Sequence, residues 1–453
     1  MQSKHTSKMY IVYLLVFLVH VLNVIIFDEK LSQPLGYLAI LLLLISFKNA
    51  GTLFKVLGFS FILIGAIVMY TEKLPLNELP LMMTSNLSVL ALLMMLPWMT
   101  SVVQIGRFDK TMTSLIEANA KDLGQLYPRS AFTTFTLASF LNLSAASISQ
   151  DVLKEHLKQL PDRVKNEFIL RTTLRGFTLA LLWSPLELLL VVTIFTTGVQ
   201  YLSLLPWLLV IVVITFVLDS FIGNRSFRKY SYEGDNGKQI DKKNTMKSLI
   251  HLICALGLFL AIVVTAGKLF NIDFLIAVTL VILPFTLLWS LFMKRLKSFW
   301  KIALPFWISK TNTMQNFVVL FIALSFFSNS LNSSSVLSVI EQPIVHLANY
   351  PLLIFIAIQL FFILLSMAGI HPVATIGILT SVISILLTIL NPLSVAIVIV
   401  TSSVATLTVG SYGLVVTLTS MNLEYSPYKI TWSNMPFAIM YGFVGSIVAF
   451  LLL

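Results

Sequence analysis

Long apolar runs separated by short polar segments dominate the pattern of this chain. A helix that crosses the hydrocarbon core of a bilayer needs about 20 predominantly apolar residues. The runs bounded by charges or by Pro, Gly and Asn predict spans at 10–27, 35–47, 52–70, 81–105, 200–222, 248–267, 271–293, 314–331 and 430–453. The pattern therefore predicts an all-α integral membrane protein.

Two further stretches begin apolar but do not fit a simple span. Residues 128–160 end in the charged sequence 151–158, and residues 350–390 hold two apolar arms divided at 368–372. We predict that both stretches are re-entrant hairpins, which enter and leave the membrane on the same side. Their tips then lie at membrane depth, where irregular backbone must be buried in protein or line a water-filled cavity.

Residues 168–199 and 392–424 are long apolar stretches with a helix-breaking sequence near the middle. Ser184-Pro185 interrupts the first stretch, and the glycine-containing sequence 410–413 interrupts the second. Proline removes a backbone donor, and glycine lowers the stability of a helix. We predict two interrupted helices, which brings the layout to about eleven transmembrane helices plus two hairpins.

Composition and charge agree with this layout. Hydrophobic residues make up 57% of the chain and charged residues 11%, whereas a soluble domain carries about 25% charged residues. The net charge of +11 raises the question of nucleic-acid binding, but in so apolar a chain it indicates orientation by the positive-inside rule. We therefore expect no nucleic-acid partner; the expected partner is the lipid bilayer.

The positions of the basic residues test the two hairpins. With a cytoplasmic N-terminus and an external C-terminus, 27 of the 30 Lys and Arg residues fall on the cytoplasmic side, and only Lys30, Lys73 and Lys268 fall outside. Counting either hairpin as a single span reverses the side of every later loop. The charge pattern thus predicts a multi-pass protein of the cytoplasmic membrane.

The breaks also repeat along the chain. A shift of 227 residues carries Asn142 onto Gly369 and Ser184 onto Ser411, and it carries the span at 200–222 onto 427–449. The two hairpins open to opposite sides, so the pattern predicts two inverted-topology repeats, a common plan of secondary transporters. We expect four segments: 1–127 and 224–349 as the scaffold helices of the two repeats, and 128–223 and 350–453 as their transport parts.

Candidate binding residues lie at the tip and the break of the first repeat. At the tip, Asn142, Ser144 and Ser147 offer an amide and two hydroxyls, although Asn and Ser are also the usual caps of short helices. At the break, Glu187 follows Ser184-Pro185. An acid within a membrane span is costly and marks a functional site, here for a proton or a coupling cation. The alternative is that Glu187 pairs with Arg171 or Arg175.

The second repeat offers a different set of groups. Its tip carries Gly369, His371 and Pro372, and its break supplies the following hydroxyls and glycine: Ser402, Thr406, Gly410 and Ser411. Histidine titrates near neutral pH, although a single histidine is equally explained as a packing residue. Serine and threonine hydroxyls also bond back to their own helix turn.

Other chemistry finds no support in the sequence. There is no phosphate-binding loop, metal-ligand cluster or nucleophile elbow, so we expect neither an ATP-driven pump nor an enzyme, and no cofactor or metal apart from H⁺ or Na⁺ as coupling ion. The basic, aromatic sequence 294–310 predicts an amphipathic cytoplasmic helix on the membrane surface.

The tips and breaks carry a family resemblance. Leu141-Asn142-Leu143-Ser144 and Ser184-Pro185-Leu186-Glu187 are similar to the Ser-Asn-Thr and Ser-Pro-Thr-Asn motifs of the ion transporter superfamily, which includes divalent-anion/sodium symporters and citrate carriers. Glu187 stands where Asn is common, and the second tip with His371 departs further. The resemblance implies eleven spans, two opposed hairpins, a scaffold domain that forms a homodimer, and a transport domain that moves as an elevator.

We therefore expect a secondary active transporter for a small, anionic solute, coupled to H⁺ or Na⁺. A membrane enzyme acting on lipid or polysaccharide intermediates is the alternative, but it needs acids or histidines clustered in large loops, and the outer loops here are short. A channel needs one continuous polar lining, which two opposed hairpins do not provide.

Overall fold

The computed structural model describes residues 8–26, 30–106, 120–141, 143–232, 242–335, 347 and 349–453, and within these ranges the chain is helical without a β-strand. In chain order, helices α1 to α20 are Met9–Ile25, Ser32–Asn49, Thr52–Thr71, Leu79–Met82, Leu87–Gly106, Leu123–Leu141, Leu143–His156, Asp162–Trp183, Leu188–Thr197, Tyr201–Phe227, Lys242–Phe270, Phe274–Phe292, Leu296–Asn312, Gln315–Asn332, Pro351–Met367, Pro372–Ile378, Thr380–Ile389, Pro392–Ala405, Leu414–Leu423 and Pro427–Phe450. Two short 3₁₀ turns cover Leu76–Glu78 and Thr406–Thr408.

The predicted all-α membrane class is confirmed. Among the described helices, seven are long and apolar enough to cross a membrane, or up to nine if each sharply bent pair is one span. The count of eleven spans and the inverted repeats stay predictions. The exposed apolar residues fit a lipid environment: only 28% of the apolar window of α3 is buried inside the protein, against 89% of the window spanning α8 and α9.

The helices group into two compact units. The first comprises Met1–Ile105, Ala261–Ile344 and Gly377–Ile385, and the second comprises Gly106–Leu260, Val345–Ile376 and Leu386–Leu453. Each unit is thus assembled from stretches far apart in the sequence. The four segments expected from the sequence remain a prediction.

Close helix contacts hold the first unit together. Helix α3 packs along α14, and glycines allow the approach: a Cβ atom at Gly58 would lie 2.6 Å from Val319 Cγ1, and one at Gly65 would lie 2.9 Å from Phe326. Small residues let membrane helices pack closely when lipid is as apolar as the interface. The amide of Asn86 adds a buried hydrogen bond of 3.0 Å to the carbonyl of Phe321.

The basic segment predicted at 294–310 forms helix α13, which is bent by 52° against α14. The indole of Trp98 packs against the ring of Trp307 at 5.7 Å and against that of Phe299 at 5.8 Å, measured between ring centroids. The guanidinium of Arg295 donates to the carbonyl of Ile105. One side of α13 is therefore buried within the first unit, whereas its apolar residues Trp300, Ile302 and Leu304 are exposed.

The second unit contains both interrupted helices and the first hairpin. Helix α8 lies in its interior and packs against α6, α7, α10 and α20. The contact with α6 is close, because a Cβ atom at Gly176 would lie 2.3 Å from the carbonyl oxygen of Ala131. Helix α18 packs against α9, α15 and α20. The two long apolar stretches thus form the core of this unit.

One predicted hairpin arm differs in detail. The sequence after Pro372 predicts a single continuous arm, whereas the structure has two helices, α16 and α17, with a break at Leu379. Gly377 precedes the break, where a Cβ atom would lie 2.4 Å from Leu324 of the same unit. A glycine within an apolar helix costs helix stability, so the arm is locally easy to interrupt.

Candidate functional site

The first helix break lies between α8 and α9 in the second unit. Pro185 cannot donate a backbone hydrogen bond, so α8 ends at Trp183 and α9 starts at Leu188. Within the break, the amide of Glu187 donates to the carbonyl of Ser184 at 3.0 Å. Ser184 and Glu187 are 3% and 6% exposed. A serine hydroxyl and a carboxylate thus lie buried in irregular backbone at the predicted place.

Neighbouring elements fix this break. The hydroxyl of Ser184 donates to the carbonyl of Ser139 on α6 at 3.3 Å. The hydroxyl of Tyr201, at the start of α10, donates to the carbonyl of Trp183 at 2.7 Å. That carbonyl is one of those left without an intrahelical partner at the end of α8. The break is therefore held by the hairpin arm before it and the helix after it.

The first hairpin consists of α6 and α7. Ser144 and Ser147 lie half-buried in the first turns of α7, and Asn142 lies outside the described residues. Further along α7, the amide of Gln150 donates to the hydroxyl of Thr419 on α19 at 2.9 Å. It accepts a hydrogen bond from Asn422 at 3.1 Å. The first hairpin is thereby tied to the second interrupted helix.

The second tip is a tight turn that precedes α16. Gly369 has φ +91°, a conformation that L side chains rarely adopt. Pro372 is the first residue of α16, as expected of a residue with fixed φ. His371 is half-buried and accepts a hydrogen bond at Nδ1 from the amide of Val373 at 3.3 Å. The imidazole thus lies at the start of a helix.

The second break runs from the 3₁₀ turn Thr406–Thr408 to Gly413. The hydroxyl of Ser366 on α15 donates to the carbonyl of Thr406 at 3.2 Å, and a Cβ atom at Gly410 would lie 2.7 Å from that hydroxyl oxygen. A side chain at position 410 would therefore displace the hydroxyl of Ser366 from this hydrogen bond. The hydroxyl of Ser411 is hydrogen-bonded to that of Thr431 on α20 at 3.0 Å.

The remaining hydroxyls of this break divide into two kinds. The hydroxyl of Thr406 donates to the carbonyl of Ser403 at 2.7 Å, so it bonds back to its own helix. The hydroxyl of Ser402 is buried and has no hydrogen-bond partner within the described part of the chain. A buried hydroxyl without a partner costs about 1–3 kcal/mol, so Ser402 is the hydroxyl here that most needs a ligand or a water.

The packing brings the two interrupted helices together. Helix α9 packs against α18, and α8 packs against the 3₁₀ turn Thr406–Thr408 and against α19. Helix α7 of the first hairpin contacts α19, and α15 of the second hairpin contacts the same 3₁₀ turn. Both hairpins therefore contact the second interrupted helix. That the candidate side chains share one ligand stays a prediction.

A buried charged cluster of the second unit was not predicted. Arg175 on α8 and Asp219 on α10 form an ion pair at 2.6 Å, with side chains 6% and 2% exposed. The hydroxyl of Tyr127 donates to Asp219 at 3.0 Å. Arg175 also donates to the side chain of Asn434 and to the carbonyl of Ser433, both at 3.0 Å. The rule that drew attention to Glu187, an acid in an apolar run, also marks Asp219.

These contacts bear on the alternative partners of Glu187. Arg175 is paired with Asp219, and Arg171 is paired with Glu167 at 3.0 Å. Both arginines thus have a carboxylate other than Glu187. Among the described residues, no group of three or more His, Cys, Asp or Glu side chains is arranged to hold a metal ion.

Comparison with known proteins identifies a solved structure with the same fold. No protein-family model matches this chain, and no curated protein matches its sequence. The structure is similar to the crystal structure of the YdaH transporter from Alcanivorax borkumensis, with a TM-score of 0.59 and 13% sequence identity over 88% of this chain and 96% of that one. The two proteins share a fold. At this identity the likeness extends to the fold alone, so membership of the ion transporter superfamily stays a prediction.

Proposed function

We propose that this chain is a secondary active transporter that moves a small, anionic solute across the cytoplasmic membrane, coupled to H⁺ or Na⁺. The observation that carries the proposal is the packing of two interrupted helices against each other within one unit, in a fold shared with a solved transporter. Broken backbone at membrane depth is tolerated where it lines a cavity or a binding site.

The helix starts at the breaks favour an anion. Helices α9 and α19 each have 10 residues, and the N-caps Glu187 and Gly413 make no side-chain capping hydrogen bond. The first N–H groups of a helix have no intrahelical acceptor, and the helix dipole places partial positive charge there. A carboxylate or phosphate group of the solute accepts hydrogen bonds from these N–H groups and is attracted by the partial positive charge of the helix dipole.

Glu187 is our candidate for the coupling site. It is the carboxylate of the first break and is buried in the second unit. A buried carboxylate either takes up a proton or pairs with a cation, because the bare charge is costly in a medium of low dielectric constant. In this role Glu187 binds the coupling H⁺ or Na⁺ when the solute is bound.

We further propose that the second unit moves as one body in an elevator-like cycle. The Arg175 cluster supports this part of the proposal, because it joins α8 to α6 through Tyr127, to α10 through Asp219 and to α20 through Asn434. Sliding one of these helices would expose an unpaired buried charge, which costs several kcal/mol.

The test is transport by the purified chain in proteoliposomes. Carboxylates are screened with imposed H⁺ or Na⁺ gradients, and we expect gradient-dependent accumulation of one class. Glu187→Gln should abolish the response to the gradient, while Glu155→Gln, an exposed acid of the same unit, should retain it. Retained coupling in Glu187→Gln would remove Glu187 from the proposal, and a wild-type chain that accumulates none of the solutes under either gradient would contradict the transport function.

A further inference from the structure

Four helix ends of the second unit surround a polar cavity. Helices α7 and α19 end there, and α8 and α20 begin there. The cavity has a volume of about 950 Å³. Among the described residues, its lining comprises Lys154, Asp162, Arg163, Lys165, Asn166, Glu167, Arg171, Asn422, Leu423, Glu424, Tyr425, Lys429, Trp432 and Ser433. This cavity is separate from the helix breaks and contains none of the residues proposed there.

The charges of the lining do not cancel. Two of its three acids are paired: Asp162 with Lys165 at 2.6 Å and Glu167 with Arg171 at 3.0 Å. The hydroxyl of Ser433 also donates to Glu167 at 2.7 Å. Glu424 is the third acid. The paired acids therefore neutralise only two of the five basic side chains.

Three cations remain without a carboxylate partner among the described residues. The ammonium of Lys154 donates to the backbone carbonyl of Asn422 at 2.7 Å, a neutral acceptor. The ammonium of Lys429 lies 5.5 Å from the ring centroid of Tyr425. No carboxylate lies within ion-pair distance of Arg163 in the described ranges. Burial and a hydrogen bond to the carboxylate of Glu167 raise the pKa of Tyr425, so its hydroxyl stays protonated and donates to Glu167.

The N-termini of two long helices also lie at this cavity. Helix α8 has 22 residues and α20 has 24, and the N-caps Pro161 and Ser426 make no side-chain capping hydrogen bond. The N–H groups of the first turns, apart from Pro427, which has none, and the positive ends of both helix dipoles thus reinforce the cationic side chains. An anion in the cavity meets donors from two helices and from Arg163 and Lys429.

We propose that this cavity binds a phosphate group, supplied either by a free phosphorylated anion or by the headgroup of an anionic phospholipid. A tetrahedral group with several acceptor oxygens matches donors converging from different directions. Basic pockets between membrane helices are known to bind lipid headgroups. Trp432 lines the cavity and is 66% exposed. Tryptophan side chains are enriched at the membrane–water interface, where lipid headgroups lie.

The proposal does not rest on transport and is tested by binding to the purified full chain in detergent. The probes are inorganic phosphate, glycerol phosphate, short-chain phosphatidylglycerol and short-chain phosphatidylcholine, titrated at constant ionic strength in chloride. We expect saturable binding of at least one phosphate-bearing anion and none of zwitterionic phosphatidylcholine. Binding of the free anions identifies a soluble ligand, and binding of phosphatidylglycerol alone identifies a lipid; both outcomes support the site.

A matched pair of variants locates the binding. Arg163→Gln with Lys429→Gln should raise the Kd about tenfold or more, because each substitution removes a charged hydrogen-bond donor from the cavity. Lys158→Gln with Lys229→Gln removes two exposed cations outside the cavity and should leave the Kd within about twofold.

The temperature at which each variant unfolds without ligand shows whether it is folded. If the first double variant does not fold, Lys429→Gln alone decides, because that side chain is exposed. Equal losses in both pairs, or no saturable binding of any phosphate probe, would overturn the proposal.

Discussion

At the scale of single residues, the guanidinium of Arg175 is a buried charge that needs acceptors from several helices of the second unit. Its three nitrogens donate to Asp219, Asn434 and the carbonyl of Ser433, and the ring of Phe437 lies 5.1 Å away. Removing two charges from water costs several kcal/mol for each ion, and good geometry with additional hydrogen bonds is needed to offset that cost. The pair therefore contributes more to holding four helices in position than to net stability.

Breaking this pair should be more harmful than removing it. Asp219→Asn leaves the buried Arg175 without a counter-charge, and we expect a loss of about 3–5 kcal/mol. Arg175→Met combined with Asp219→Leu should lose less than Asp219→Asn alone, because neither charge remains unpaired. Denaturant unfolding of the purified chain in detergent measures both.

The exposed pair Lys158 and Glu155 supplies the control for that experiment. Glu155→Gln breaks an ion pair of 2.6 Å whose side chains are 65% and 70% exposed, and exposed pairs contribute little. A stability change in Asp219→Asn no larger than that in Glu155→Gln would show that the buried pair is not needed for the fold.

At the scale of helices, the sequence predicts where elements end better than what they contact. The breaks after Trp183 and after Ala405 depend on local groups, a proline in one and glycines in the other, so their positions follow from the chain itself. The link from Gln150 to Thr419 joins residues 269 apart. Nothing in local periodicity encodes such a contact, and for the same reason the pairing of Arg175 with Asp219 was not foreseen.

Helix packing also predicts opposite effects on stability when two glycines, Gly176 and Gly257, are replaced by alanine. Gly176→Ala places a Cβ atom 2.3 Å from the carbonyl of Ala131, and this backbone atom cannot move away by rotating a side chain. We expect α6 and α8 to separate, with a loss of about 2 kcal/mol or more. Gly257 on α11 has no atom within 4 Å of the corresponding position. Gly257→Ala should be neutral or should stabilise the helix by up to about 1 kcal/mol.

Thermal unfolding of the two variants beside the wild-type chain measures this difference. Both substitutions add the same methyl group within an α-helix, so helix propensity alone would move both melting temperatures in the same direction. A Gly176→Ala protein as stable as Gly257→Ala would mean that the close approach of α6 and α8 relaxes without cost.

At the scale of the whole molecule, the distribution of basic residues predicts the orientation of the chain. Cys254 is its one cysteine, so Cys254→Ala gives a background for single-cysteine labelling in intact cells. An impermeant maleimide should label Lys73→Cys from outside, and Lys310→Cys only after permeabilisation, because the positive-inside rule places these positions on opposite sides. Labelling of both from the same side would contradict the predicted orientation.

The same background tests the second hairpin. Asn349 precedes α15 and Asn391 precedes α18, and a re-entrant hairpin places both on the same outer side. Asn349→Cys and Asn391→Cys should therefore both be labelled in intact cells. If only one of them is labelled, residues 351–389 cross the membrane once, and the eleven-span layout is wrong.

The Arg175 cluster also has a consequence for biosynthesis. Asp219 is made 44 residues after Arg175, but Asn434 is made 259 residues after it. During synthesis α8 therefore gains its counter-charge early, while two of its neutral acceptors arrive with α20. A nascent chain that ends before Pro427 therefore contains both charges of the ion pair but lacks Ser433 and Asn434, which supply two of the acceptors of the guanidinium.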